Sequence, residues 1–415
     1  MSEWKKVKLG DVCEITSSKR CLASVRSKSG IPFFCSKEII CLDKGEDFEP
    51  SDFIPEELYN DIKAKYGVPT KGDLLLTTRG TNGIPYIYKS SDTFYFADGN
   101  LSWFKNFKKG LDPQFLYYWF KSPLGIHEVD TISKGTAQKA VPIDGLRRII
   151  MPYPSQHTQN RIVTILSRYD SLIENYQKQI KLLEEAAQRL YKEWFVDLHF
   201  PGHENVKIVD GVPEGWEKKT IDDVTCKVTT GLNPRKNFVL GKGSNYYVTI
   251  KNMADNTLFL DDRCDRVDNE ALEKINKRSD LKIGDILFSG IGTIGRVALV
   301  DIPTNNWNVS ESVFTLRVND IVTKELLYLI LLSPDMQNYC QSNAHGAAQK
   351  GIRMADLKAY SFNLPPFELV QKFTSLVTPT IKKISSIRNQ IRLLTEARDR
   401  LLPKMMSGEI EFNFK

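Results

Sequence analysis

The sequence lacks the features that would place its 415 residues in several common protein classes. Its seven cysteines form no C-x-x-C pair, which argues against a disulfide framework and indicates reduced thiols in a cytoplasmic protein. No apolar run approaches the ~18 residues of a membrane span, and the first residues, MSEWKKVKLGDV, have no signal-peptide core. The formal net charge of +6 permits nucleic-acid binding without requiring it.

The stretch SGIGTIG at 289–295 contains a G-x-G-x-x-G, the spacing that binds a dinucleotide pyrophosphate. Such a loop follows a strand and opens a helix, whose free N–H groups hold the anion. Here a strand-like segment precedes the glycines, but the β-branched, apolar residues at 296–300 follow them and Pro303 ends the run. The pattern predicts a hairpin whose glycines supply positive φ, and it disfavours a nucleotide site.

The chain repeats itself at an offset of about 212 residues. Four pairs of segments carry the repeat: WKKVKLGDV at 4–12 with WEKKTIDDV at 216–224, KGDLL at 71–75 with IGDIL at 283–287, GTAQK at 135–139 with GAAQK at 346–350, and Pro154 and Gln159 with Pro366 and Gln371. The twin of the glycine stretch, TRGTNG at 78–83, lacks the first glycine, which a hairpin tolerates and a nucleotide loop does not. The chain is therefore a tandem duplication of one large unit, with a period too long for a solenoid.

Each half ends in a segment that predicts a long helix, since apolar residues recur there at heptad spacing. The first helix has columns Ile162, Tyr169, Tyr176, Leu183, Leu190 and Leu166, Ile173, Ile180, Ala187, Trp194; the second has Ile387, Leu394, Leu401 and Ile384, Ile391, Met405, with Arg398 interrupting its second column and Pro379 near its start. A helix lying on its own domain would explain either stripe alone. Two matched stripes favour an antiparallel intramolecular coiled coil.

The predicted fold class is therefore α+β, with two tandem mixed α/β domains, at 1–154 and 201–365, and two spacer helices, at 155–200 and 366–415, packed as an antiparallel coiled coil with a pseudo-twofold axis. Such a helix pair would hold two similar domains at a fixed separation. DNA readers with two half-sites space them by about one helical turn, roughly 34–36 Å. Because the loop residues of the two domains differ, the expected DNA site has two unlike halves and a fixed gap.

The chain resembles, along its whole length, the specificity subunit of type I restriction–modification systems. The resemblance rests on the duplicated W-x-x-x-x-[LI]-x-[DG] opening, the GDLL and GDIL strands, the G-x-x-Q turns, the P-x-x-x-x-Q helix starts, the coil exits LYKEWFVD at 190–197 and LLPKMMSGE at 401–409, and PEGW at 213–216. Each motif is modest, but their order and their duplication are highly specific.

The resemblance implies two target-recognition domains, each reading one half of a split double-stranded DNA site, with the helices setting the gap. It also implies two modification subunits that dock on the helices, bring S-adenosylmethionine, extrude an adenine from the duplex and methylate its N6. A restriction subunit would cut DNA with ATP and Mg²⁺. The resemblance assigns no catalysis and no cofactor to this chain, and it implies a location in the prokaryotic cytoplasm.

The candidate DNA contacts are Arg and Lys for phosphates and Arg, Asn, Gln, Ser or Thr for base edges. They are Thr78, Arg79, Thr81, Asn82, Lys134, Gln138 and Lys139 in the first domain, Ser289, Thr293, Arg296, Gln349, Lys350 and Arg353 in the second, and Lys19, Arg20, Arg235 and Lys236 after the opening strands. For each, a turn residue or a solvated charge is an equally good interpretation. Gln138 and Gln349 also fit a structural role at the helix start. Residues that differ between the domains are the better candidates for reading bases.

The mixed charges of the two helices fit either a solvated face or a docking surface for modification subunits. Tyr191, Trp194 and Phe195, near the end of the first helix, favour docking, because exposed aromatic clusters are rare on solvated surfaces.

Catalytic and metal sites are disfavoured. NLPPF at 363–367 nearly spells the N-P-P-F motif of adenine-N6 methyltransferases, but Leu364 interrupts it and a turn before a helix explains it. His199 and His203 are separated by Pro201-Gly202, with no third ligand nearby. The alternatives to a DNA-specificity subunit are a duplicated scaffold that binds protein alone and, third, part of a fused methyltransferase, for which the recognition domain would not be expected to start at Met1.

Overall fold

The computed structural model describes residues 4–46, 48–135, 139–254, 256–346 and 350–410. The chain forms two compact units. Unit 1 comprises Met1–Asn175 with Ile391–Lys415, and unit 2 comprises Tyr176–Gln390. Each unit therefore contains one globular domain and half of each long helix. No helix in these described ranges is long and apolar enough to cross a membrane.

Unit 1 is built from short strands and helices that precede the first long helix. The strands are β1 (Lys5–Lys8), β2 (Glu14–Thr16), β3 (Ile31–Phe34), β4 (Phe53–Ile54), β5 (Leu74–Thr77), β6 (Pro85–Ile87), β7 (Tyr95–Phe96), β8 (Leu101–Lys105) and β9 (Ile150–Tyr153). The helices are α1 (Leu9–Val12), α2 (Ser36–Lys44), α3 (Glu56–Lys65), α4 (Pro113–Lys121), α5 (Pro123–Ile132), α6 (Ile143–Arg148) and α7 (Gln156–Phe195), whose second half belongs to unit 2.

Unit 2 adds thirteen strands and five helices among the residues that the structure describes. The strands are β10 (Ile208–Val209), β11 (Val212–Pro213), β12 (Glu217–Thr220), β13 (Thr225–Thr230), β14 (Asn245–Val248), β15 (Met253–Ala254), β16 (Thr257–Leu258), β17 (Asp265–Val267), β18 (Ile286–Ser289), β19 (Val297–Leu299), β20 (Trp307–Val309), β21 (Val313–Val318) and β22 (Ser361–Leu364). The helices are α8 (Asn269–Ser279), α9 (Lys324–Leu332), α10 (Pro334–Ser342), α11 (Met354–Ala359) and α12 (Phe367–Met406), which ends in unit 1.

The two domains share three sheets of the same topology, and unit 2 adds the two-strand sheets β10-β11 and β15-β16. Each has a four-strand antiparallel sheet, β2-β8-β5-β6 in unit 1 and β13-β21-β18-β19 in unit 2. Each also has a three-strand sheet, β4-β3-β7 and β17-β14-β20, in which the second pairing is parallel. A terminal pair, β1-β9 and β12-β22, joins the start of each domain to the strand before its long helix. The mixed α/β class and the duplication predicted from the sequence are thus confirmed.

Serine–proline pairs begin equivalent helices in the two domains. Ser122 caps α5 and Ser333 caps α10, each accepting a hydrogen bond from the backbone N–H three residues later, and the proline that follows fits the first helical position. The same serines end α4 and α9. The same serine–proline pair therefore ends one helix and begins the next between α4 and α5 and between α9 and α10.

The two long helices are confirmed, and they run antiparallel within each unit. In unit 1, Ile162 and Leu166 of α7 share a core with Leu402, Met405 and Met406 of α12. In unit 2, Ala187, Tyr191 and Trp194 of α7 share a core with Val370, Phe373 and Val377 of α12. Later residues of α7 thus meet earlier residues of α12, as the heptad columns predict. The helix α12 continues through Pro379.

Arginines of α12 pair with carboxylates of α7 inside each half of the helix pair. Arg398, which interrupts the apolar column, donates to Asp170 at 2.8 Å, and Asp170 also accepts from the Tyr118 hydroxyl at 2.6 Å. In unit 2, Arg388 donates to Glu184 at 2.6 Å. The polar interruption of the column is therefore matched by a carboxylate on the facing helix.

A tryptophan at the start of each domain packs on the end of a long helix. Trp216 lies 5.9 Å from Phe195 and 5.4 Å from Phe200, between ring centroids. Trp4 packs in the core of unit 1, with its indole against Gly408, just after α12. Trp216 thus packs the end of α7 against the domain of unit 2, and Trp4 packs the end of α12 against the domain of unit 1.

Candidate nucleic-acid interface

Four loops of unit 1 meet beside the ends of β5, β7 and β8. We name them the basic loop (17–30), the inter-strand turn (97–100), the glycine turn (78–83) and the lysine loop (133–135 with 139–141). The hydroxyl of Ser18 donates to the Phe96 carbonyl at 2.7 Å, which seats the basic loop. The Thr78 N–H donates to Asn100 at 2.8 Å, and the Val141 N–H donates to Thr78 at 3.0 Å. Backbone hydrogen bonds therefore join the glycine turn to the inter-strand turn and the lysine loop, and a hydroxyl seats the basic loop on β7.

Unit 2 repeats this arrangement with equivalent loops: the basic loop (231–244), the inter-strand turn (310–312), the glycine turn (290–295) and the lysine loop (344–346 with 350–352). The Gly231 N–H donates to Ser310 at 3.2 Å, and the Gly290 N–H donates to Ser312 at 2.9 Å. The lysine loop is attached because the Ile352 N–H donates to Gly290 at 2.8 Å and the Gly292 N–H donates to Lys350 at 2.7 Å. The loop cluster is therefore a property of the duplicated fold.

The glycine turns are hairpin turns, as the sequence predicts. β18 pairs antiparallel with β19, and β5 pairs antiparallel with β6. Gly292 and Gly295 have φ of 84° and 91°, and their twins Gly80 and Gly83 have 82° and 83°, which only glycine adopts readily. A strand, and not a helix, follows the glycines, so no helix N-terminus is available to hold a pyrophosphate.

A hydroxyl at the last residue of β5 and of β18 closes each glycine turn. The Thr77 hydroxyl donates to the Thr81 carbonyl at 2.7 Å and accepts from the Ile84 N–H. The Ser289 hydroxyl donates to the Thr293 carbonyl at 2.6 Å and accepts from the Arg296 N–H. These shared residues build the turn, so they cannot account for two different half-sites.

The shared aspartates of the GDLL and GDIL motifs are structural as well. Asp73 accepts from the Thr70 N–H at 2.8 Å and from the Trp103 indole at 3.0 Å. Asp285 accepts from the Lys282 N–H at 2.8 Å and from the Arg317 guanidinium at 2.7 Å. Both carboxylates tie the turn before the central strand to the neighbouring strand. The motif is thus explained by the sheet and requires no ligand.

Most of the predicted contact residues lie exposed on the loop clusters. The exposed ones are Lys19, Arg20, Arg79, Thr81, Lys134 and Lys139 in unit 1 and Arg235, Lys236, Thr293, Lys350 and Arg353 in unit 2. Asn82 is half-buried and its amide donates to the Lys139 carbonyl at 3.1 Å, which links the glycine turn to the lysine loop. Gln138 and Gln349 lie outside the described residues.

Three predicted contacts have structural roles. Ser289 is fully buried and Thr78 is 3% exposed, so neither presents its hydroxyl at the surface. The Arg296 guanidinium donates to the carbonyls of Ile250 and Met253, and it is thereby committed to the protein interior. We therefore assign these residues to the framework of the turns and do not retain them as DNA contacts.

Two exposed basic residues escaped the sequence reasoning. Lys28 and Lys242 lie in the basic loops, which contain four and three basic residues respectively and no Asp or Glu. The sequence does contain a signal for these loops. About one residue in eight of this chain is acidic, so fourteen consecutive residues with several basic side chains and no Asp or Glu are unusual. His345 in unit 2 is equivalent to Lys134 in unit 1. Lys134 forms a β-bridge with Ala140, and His345 forms the matching bridge with Gly351.

The base of the first basic loop is held by a buried tyrosine. The Lys19 N–H donates to the Tyr95 hydroxyl at 2.7 Å, and that hydroxyl lies 3.3 Å from the Lys19 carbonyl, to which it donates. Burial raises the pKa of Tyr95 to about 12. The two hydrogen bonds of this hydroxyl therefore attach the start of the basic loop to β7.

The prediction that Tyr191, Trp194 and Phe195 form a docking surface is wrong. Tyr191 is 9% exposed and Trp194 is 6% exposed, and both belong to the core of unit 2. Phe195 packs edge-on against Phe373 of α12 at 4.7 Å between ring centroids. The aromatic cluster is covered by α12 and by the domain, because the last turns of α7 form one wall of the domain core.

The described residues contain no cluster of three or more His, Cys, Asp and Glu side chains that could hold a metal ion. The segment NLPPF forms the end of β22 and the first residue of α12, with Asn363 on a strand paired to β12. The turn before a helix predicted from the sequence is therefore what the structure contains.

Comparison with known proteins agrees with this geometry. A family model described as the type I restriction modification DNA specificity domain matches residues 1–185 and again 213–395. The chain belongs to this family. Its two matches coincide with the two repeated halves, so each half is one copy of the family's domain.

Two relatives match this chain over nearly their whole length. The chain is 27% identical to the MjaIX type I restriction enzyme specificity subunit of Methanocaldococcus jannaschii, covering 98% of this chain and 94% of that protein. It is 23% identical to the HindI specificity subunit of Haemophilus influenzae over 99% and 100% of the two chains. The crystal structure of the type I restriction-modification S subunit from M. genitalium has the same fold, with a TM-score of 0.57, 17% identity and coverage of 97% and 96%.

Proposed function

We propose that this chain, as a type I specificity subunit, binds double-stranded DNA at a bipartite site and directs partner subunits to it. Each loop cluster would read one half-site, and the paired helices would set the gap. Modification subunits carrying S-adenosylmethionine would methylate adenine N6 at the site, and a restriction subunit using ATP and Mg²⁺ would cut DNA. The chain itself would be non-catalytic.

The observation that carries the proposal is the pair of equivalent but unlike loop clusters. Exposed Arg79 of the first glycine turn is replaced in the second by Ile291, and exposed Lys134 of the first lysine loop is replaced by exposed His345. Exposed lysines and arginines on both clusters suit phosphate contacts, which position a protein on the duplex without reading sequence. The identical framework with different surface residues suits two half-sites of different sequence.

Docking of the modification subunits would use the outer face of α7. Leu182 is 66% exposed in unit 2 and borders a shallow groove of about 360 Å³ that Glu185, Ala186, Arg189, Leu190 and Glu193 also line. In such a contact Leu182 would supply buried apolar area at the centre, and the charges of both signs around the groove would form its polar rim.

The test is a comparison of the source cell's methylated sites with and without this gene, by single-molecule sequencing. The expected result is the loss of one gapped motif with N6-methyladenine in both halves. Binding of the purified complex to that motif should then fall steeply with salt, as phosphate contacts release counterions. A complete complex that binds DNA weakly and without salt dependence contradicts the proposal and favours a protein-binding scaffold.

A further inference from the structure

The two basic loops share a design that phosphate binding does not explain. Each has fourteen residues, 17–30 and 231–244, and connects the first strand of the four-strand sheet to the central strand of the three-strand sheet. Each also exposes aliphatic side chains among its basic residues. Leu22 is 57% exposed and Val25 is 42% exposed in the first loop, and Val239 is 61% exposed in the second.

The first loop holds its aliphatic side chains in place. Cys21, directly before Leu22, is 6% exposed and belongs to a buried cluster. Residues Ala23–Val25 form a 3-10 turn in which the Val25 N–H donates to Leu22 at 3.1 Å. Beyond the turn, Arg26 pairs with Asp52 at 2.8 Å. Leu22 and Val25 are thus presented by a turn anchored on both sides.

The second loop presents Val239 in the same way. Phe238, directly before it, packs on Tyr247 with ring centroids 5.5 Å apart. The Phe238 N–H donates to Pro234 at 3.1 Å, and the Tyr247 hydroxyl donates to the Leu232 carbonyl at 2.8 Å. In both loops a side chain packed on the domain, buried Cys21 or half-buried Phe238, therefore precedes an exposed aliphatic one.

We propose that Leu22 and Val25 in one loop, and Val239 in the other, contact the C5-methyl groups of thymine in the major groove. This inference rests on the proposed function. Thymine offers the one apolar group among the base edges there, and aliphatic side chains are its usual partners. Lys19, Arg20, Arg235 and Lys236 lie beside these side chains in the sequence and would hold the adjacent phosphates. Short, β-branched valine suits contact with a methyl group better than insertion between base steps, which favours longer side chains.

The experiment measures binding of the complete complex to duplexes carrying its methylated motif, with deoxyuridine replacing thymine at one position at a time. Deoxyuridine removes the methyl group and leaves base pairing intact. At one or more thymines of each half-site, the wild-type complex should lose about fourfold in affinity per methyl group contacted. A chain carrying both Leu22→Ala and Val25→Ala should lose that response in one half-site, and Val239→Ala should lose it in the other.

The matched controls are Ile150→Ala for Leu22 and Ile283→Ala for Val239. These isoleucines are 52% and 61% exposed and lie away from the basic loops, so their variants should keep the full response to deoxyuridine. A wild-type complex that recognises its motif but responds to deoxyuridine at no thymine overturns the inference, with no variant needed. Variants that keep the wild-type response overturn it as well. A complex that shows no preference for the motif at all refutes the proposed function instead.

Discussion

Replacing Trp194 with alanine separates a core role from a docking role. The side chain is 6% exposed and lies 5.6 Å from Phe373, between ring centroids. A buried tryptophan removes roughly 200 Å² from water, and at about 25 cal/mol per Å² this is worth about 5 kcal/mol. Tryptophan-to-alanine changes in protein cores cost about 3–5 kcal/mol. We therefore expect Trp194→Ala to destabilise unit 2 by several kcal/mol.

The assay is a thermal melt of the purified chain without its partners. A loss of 1 kcal/mol lowers the Tm of a domain of this size by about 2–4 °C, so the unit 2 transition should fall by about 6–20 °C. Leu182→Ala on the same helix is the control. Leu182 is 66% exposed, and its variant should stay within about 0.5 kcal/mol of wild type while weakening assembly with the modification subunit. A Trp194→Ala chain that melts within about 1 °C of wild type would refute the core assignment.

Three further predictions concern ionic and titratable groups. Arg398→Met should lower the free energy of unfolding, measured by urea titration, by about 1.5–3 kcal/mol, because Asp170 loses a charged hydrogen bond. Adding Asp170→Asn to the same chain should recover part of that loss, because no unpaired carboxylate remains. In native protein at pH 8, a thiol reagent should label exposed Cys226 quickly and buried Cys13 hardly at all. Burial raises the pKa of Cys13 to about 12 and keeps its thiol protonated. Equal labelling rates for the two cysteines would contradict the burial of Cys13. Lys350→Ala should weaken DNA binding equally for all sequences and reduce the salt slope by about one, whereas a loss confined to one motif would indicate a base contact.

Much of the fold could be predicted because its signals are local. Heptad spacing predicted the two long helices α7 and α12, since a helix face needs apolar side chains at fixed intervals wherever its partner lies. The glycines of 290–295 predicted a hairpin because the β-branched residues after them disfavour a helix. Because the chain is a tandem repeat, each of these motifs occurs twice. The order of the motifs, together with their duplication, indicated the family.

Burial could not be predicted in the same way, because it depends on residues far away in the sequence. Trp194 fits the heptad column and also an exposed aromatic patch, and the choice between them required the position of Phe373. Ser289 looks like any polar residue of a turn until the carbonyl that its hydroxyl bonds is located.

The basic loops show the same division. Their positive charge can be read from the sequence. The exposure of Leu22 and Val239 cannot, because it results from the packing of Cys21 and Phe238 against the three-strand sheets. Periodicity and repetition are properties of the chain and can be read along it. Solvent exposure is a property of the assembled core, because it is set by which distant side chains fill the space around each residue.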